Sequence, residues 1–92
     1  MLNKYVIERN IPKVGGFDQS QLRDAARTSN AALDKLAGKV EWVESFVTAD
    51  KTYCVYLADT PETVKRHAEL SGFPANVITQ VETMFGPSWS RA

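Results

Sequence analysis

The stretch Glu41 to Ala58, EWVESFVTADKTYCVYLA, restricts what this chain can become. β-Branched and aromatic residues lie on both sides of a short polar break at Ala49-Asp50-Lys51. It therefore reads as two strands, Glu41–Thr48 and Thr52–Ala58, joined by a tight turn. A lone hairpin is marginal in water, so the rest of the chain must add strands and cover a face. Two registers remain open. With a turn over residues 49–51, Phe46 opposes Cys54 and Glu44 opposes Tyr56, and all four share one side. With only Asp50 and Lys51 turning, Cys54 opposes Val47, and Glu44 sides with Tyr53 and Leu57.

The flanks supply what the hairpin lacks. Lys4 to Arg9, KYVIER, reads as a strand that ends in a loop holding Pro12 and Gly15-Gly16; this glycine pair has neither dinucleotide-binding nor P-loop spacing and is expected to be a flexible turn. Asp18 with Gln21 forms a capping-box pattern, and Phe17 stands at the staple position. The helix they open has Leu22, Ala25, Ala26, Ser29, Leu33 and Leu36 on one arc and closes at Gly38. That arc is rich in small residues, so the helix can approach a sheet closely or leave a pocket beside it. Thr60-Pro61 opens a second helix, closed by Gly72, with Val64, His67, Ala68 and Ser71 on its inward arc. Val77 to Phe85 reads as a last strand with Val77, Thr79, Val81, Thr83 and Phe85 on its half-buried face, before Gly86-Pro87 and a tail carrying Trp89.

The order β-α-β-β-α-β is the ferredoxin-like, split βαβ plan: one α+β domain over residues 1–92, with a four-stranded antiparallel sheet and two helices on one face. The other face is left bare. A homodimer would cover it, with Trp42, Phe46, Tyr5 or Tyr56 as the apolar surface.

Charge excludes some classes of function. Eleven basic residues balance eleven acidic ones and are interleaved with them, so no nucleic-acid or anionic-membrane footprint exists. No segment has the apolar length of a signal peptide or a membrane span, and one cysteine makes no intrachain disulfide; the expected compartment is the cytoplasm.

Three residues carry donor chemistry. Cys54 offers a thiolate, His67 an imidazole and Glu44 a carboxylate, a set that suits nickel, zinc or copper better than magnesium or calcium. No CxxC or HxxxH pattern and no second histidine accompanies them, so one subunit lacks the signature of a closed metal site. Each also has an ordinary reading: Cys54 as a small buried hydrophobe, His67 as a hydrogen-bonded core residue, Glu44 as a solvated or paired charge. No nucleophile, base and orienting group can be read together, so no catalytic residue is assigned.

At WVESFVTADKTYCVYLA, the helix with Lys65-Arg66-His67-Ala68, and Gly72-Phe73-Pro74-Ala75, the chain resembles a family of small bacterial proteins long known only as a domain of unknown function. The opening KYVIERNIP extends the likeness to nearly the whole chain. A described member of that family is a nickel-responsive, nickel-binding protein with a dimeric ferredoxin-like fold. The resemblance implies a homodimer that sequesters or senses nickel, with Glu44, Cys54 and His67 as the donors in matching segments. The alternative is a cofactor-free, monooxygenase-like enzyme of the dimeric ferredoxin-like barrel type, with His67 inside a cavity between helices and sheet.

Overall fold

In a computed structural model, which describes residues 1–91, the elements follow in the expected order. They are β1 (Asn3–Asn10), a 3₁₀ turn at Val14–Gly16, α1 (Gln19–Asp34), β2 (Val40–Val47), β3 (Lys51–Ala58), α2 (Pro61–Ser71), β4 (Val77–Gln80) and a 3₁₀ turn at Pro87–Arg91. The four strands make one antiparallel sheet in the order β2-β3-β1-β4, the ferredoxin-like arrangement.

Alternation along the central strands creates the core. Tyr5 and Ile7 of β1 pair with Tyr56 and Cys54 of β3, and all four side chains are buried on one face. Val64 of α2 is fully buried against them, worth ~1.5–3 kcal/mol for a side chain of this size, and Leu33 of α1 and Leu36 just beyond it pack on the same cluster.

Both helices start as their caps dictate. The Gln21 amide donates to Asp18 Oδ1 at 2.8 Å and the Asp18 amide to Gln21 Oε1 at 2.9 Å, closing the capping box. At α2 the Thr63 amide donates to Thr60 Oγ1 at 3.3 Å, with Pro61 at the first helical position. Gly72 ends α2 with φ 79°, its amide bonded to the Ala68 carbonyl. α1 stops at Asp34, earlier than its glycine suggests, because Ala37 already adopts φ 50° ahead of Gly38 at φ 77°.

The hairpin adopts neither register considered. Val47 opposes Thr52, Ser45 opposes Cys54 and Glu44 opposes Val55; Val43 is then the extra residue of a bulge, after which Trp42 opposes Tyr56. Thr48 holds the turn by donating both its amide and its hydroxyl to the Lys51 carbonyl, at 2.8 and 2.9 Å. Glu44 thus shares a face with Tyr53, Val55 and Leu57, the grouping of the second alternative, while Cys54 and Tyr56 face the helices.

The bare face of the sheet is also different from that expected. Tyr5, Tyr56 and Trp42 all lie on the helix side, and of the anticipated apolar residues only Phe46 faces outward, 54% exposed. β4 is shorter than expected and presents its other side. Ile78 packs against the core, whereas Val77 and Thr79 face outward beside Glu8 and Val6. Its register is set where the Asn76 amide meets the Glu8 carbonyl at 3.0 Å, a long-range constraint invisible in local alternation.

Gly15, the first of the glycine pair, is a packing residue rather than part of a flexible turn. The Gly15 amide donates to the Ala49 carbonyl at 2.9 Å, and the 3₁₀ turn lies directly on the β2–β3 connection.

Candidate functional site

The small residues on the inward arc of α1 keep the helix from filling the space above the sheet. A cavity of about 420 Å³ lies there, with Ala25 and Ala26 of α1 on one wall, Trp42 on another and the Phe73-Pro74 turn at one side. Its sheet side carries Arg9, Thr52, Cys54 and Tyr56.

Arg9 is the unexpected member. It continues the period of Tyr5 and Ile7 on the inner face of β1 and is only 2% exposed. Its Nη1 donates to the Pro74 carbonyl at 2.7 Å, and its Nη2 is 3.5 Å from the Tyr56 hydroxyl. The guanidinium carbon is 5.8 Å from the Tyr56 ring centroid and 6.0 Å from that of Phe73, within or at the reach of cation–π attraction. The ion pairs among the described residues are Arg27–Asp24, Lys51–Glu8 and Arg66–Glu69; none involves Arg9. A charge at the end of a strand is ordinarily solvated, which conceals this placement. The signal available was the period of two: a charge at the third inward position after Tyr5 and Ile7.

A polar row runs from Arg9 behind the cavity. The Tyr56 hydroxyl is 3.4 Å from Ser29 Oγ, which is 3.2 Å from His67 Nε2; the same nitrogen is 3.3 Å from the Ser29 carbonyl. His67 is fully buried, its ring 5.0 Å from that of Tyr56, and its Nδ1 has no hydrogen-bond partner among the described residues. Burial is the main cause holding its pKa below the ordinary value of 6.5; the Ser29 carbonyl opposes this and the positive charge of Arg9 adds to it. The imidazole is therefore neutral at pH 7. Burial also raises the Tyr56 hydroxyl above its usual 10.0, against the smaller effects of Ser29 and Arg9.

The three donor residues are not brought together. Cys54, 6% exposed, lies on the cavity floor with its thiol 3.6 Å from Thr52 Oγ1. His67 is on the same side of the sheet but lies behind Tyr56 and Ser29 and does not line the cavity. Glu44 is exposed on the opposite face. Among the described residues no group of three or more His, Cys, Asp or Glu is placed to hold a metal ion, so within one chain this donor set does not fit a resident nickel centre. The enzyme alternative placed His67 inside the cavity; the cavity is there and the imidazole is not. Among the described residues no helix is long and apolar enough to cross a membrane.

The family model described as nickel responsive protein SCO4226-like matches residues 5–81, from β1 to just beyond β4. The chain belongs to this family. No curated protein matches it. Among solved structures, SCO4226 from Streptomyces coelicolor A3(2) is similar with a TM-score of 0.73, covering 89% of this chain and 99% of that one at 20% identity. Such a likeness establishes a common fold. In this member of the SCO4226-like family, the matched segment contains every element that builds the cavity and the polar row.

Proposed function

We propose that this protein is a small cytoplasmic, nickel-responsive binding protein that acts as a homodimer and sequesters or senses the ion. The observation that carries this reading is the family match, which spans residues 5–81 and has nickel responsiveness in its description. Supporting the dimer is the bare face of the sheet, where Phe46 and Val77 are exposed at 54% and 47%. Because the donors of one chain do not converge, the ion is assigned to ligands that two copies complete. Glu44, exposed on that bare face, is the donor a second copy can reach.

The test is isothermal titration of the tag-free protein with nickel and with zinc, alongside its mass in solution. The expected result is a dimer with saturable nickel binding near one ion per subunit that weakens in Glu44→Ala. Loss of binding in Cys54→Ser or His67→Ala instead would move the ion under the helices and overturn the shared site. A protein that binds no nickel at all would overturn the reading.

A second reading rests on the cavity: the protein also binds a small organic molecule between α1 and the sheet. Its volume of about 420 Å³ is at the small end of the ~300–1,000 Å³ typical of ligand sites, and a few convergent polar groups in a largely apolar wall are what such sites use for orientation.

A further inference from the structure

Among the described residues, the cavity lining holds one permanent charge, Arg9, and nothing of opposite sign. Taking a guanidinium out of water is strongly unfavourable unless an anion or a full set of acceptors replaces its hydration, and arginine cannot escape the cost by shedding its proton. Arg9 is 2% exposed, yet protein acceptors meet only two of its five N–H groups, Pro74 carbonyl at 2.7 Å and, more weakly, Tyr56 hydroxyl at 3.5 Å. Phe73 and Tyr56 screen its faces without neutralising it. The guanidinium lines the cavity, where Thr52 and Tyr56 add hydroxyls beside it.

The rest of the lining indicates the partner. Ala25, Ala26, Leu22 and Trp42 offer an apolar wall with no second cation. A planar guanidinium matches the two oxygens of a carboxylate, while a phosphate monoester brings up to about two negative charges and three oxygens and calls for more donors than this lining has. Building on the cavity reading above, we propose that the cavity binds a small organic monocarboxylate. Arg9 holds its carboxylate, and its aliphatic or aromatic body lies against α1.

Isothermal titration of the full chain with octanoate, octanamide and octyl phosphate tests this. Octanoate should bind one per chain, about tenfold or more tighter than octanamide, the ratio expected when a charge-assisted hydrogen bond is lost. That preference should fall to near unity in Arg9→Met and largely survive in Arg9→Lys. Filling the space with Ala26→Phe should abolish octanoate binding. Since the octanoate–octanamide comparison uses the unaltered protein, an Arg9 variant that fails to fold leaves the test intact. Equal binding of the two probes would overturn the carboxylate assignment while leaving the cavity as a ligand site. Tighter binding of octyl phosphate would replace it with a phosphoryl ligand. Absence of binding by all three would overturn both the proposal and the cavity reading, and undiminished binding in Ala26→Phe would place the ligand elsewhere.

Discussion

Replacing Gly15 with alanine should destabilise the protein far more than the same change at Gly16, one residue away. A Cβ at position 15 would stand 2.8 Å from Ala49 Cα, 2.8 Å from the Thr48 carbonyl oxygen and 3.1 Å from the Ala49 oxygen. All three are backbone atoms, so no side-chain rotation relieves the clash; the 3₁₀ turn must lift off the β2–β3 connection. That movement stretches the 2.9 Å Gly15–Ala49 bond and strains its neighbour, the 2.8 Å bond from the Lys13 amide to Asp50 Oδ1. Overpacking of this kind costs ~1–3 kcal/mol. For a domain of this size each kcal/mol lowers Tm by ~4–8 °C, so a fall on the order of 5–20 °C is expected. At Gly16 an added Cβ meets nothing within 4 Å and φ is not positive, so Gly16→Ala should stay within about 0.5 kcal/mol of the parent or gain slightly from a stiffer unfolded chain. Urea unfolding followed by circular dichroism measures both. Equal midpoints for the two variants would refute the close approach.

Two further outcomes follow from the core and the caps. Because the folded state holds His67 neutral, its folded pKa is below the unfolded value near 6.5; as pH falls through that value the unfolded chain takes up a proton the folded one refuses, and stability drops. Urea midpoints should therefore decrease from pH 7 to pH 5 and do so less in His67→Gln; an identical slope in the variant would remove His67 as the cause. Asp18→Ala, which opens the capping box of α1, should cost ~1 kcal/mol in the same assay, and a change under a few tenths would show that the cap contributes little.

Much of the architecture was legible because it is written in local chemistry. Asp18 with Gln21, Thr60-Pro61 and Gly72 mark helix ends through bonds that span only a few residues, and the inward arcs of both helices follow from a single period. What escaped depends on contacts between distant segments. The hairpin register comes from the Thr48–Lys51 bonds together with the bulge at Val43, and neither has a composition signal. In and just beyond β4, Val77, Ile78 and Val81 offer apolar residues on both parities, so the long-range bonds of the Asn76 amide to Glu8 and of the Val81 amide to Lys4 decide that Ile78 turns inward. The candidate site was half visible. The small-residue arc of α1 announced a possible pocket, and Cys54 is on its floor; Arg9 was missed because a charge at a strand's end is ordinarily solvated.

The bulge at Val43 also governs how copies of this chain can meet. β2 and β4 are the two edges of the sheet, and each would ordinarily expose a row of unpaired amides and carbonyls. The extra residue breaks the spacing of that row on β2, and β4 offers only Val77–Gln80. Neither edge is a good template for strand addition. Open-ended growth by pairing one sheet edge on another, the geometry of a fibre, is therefore disfavoured at both edges.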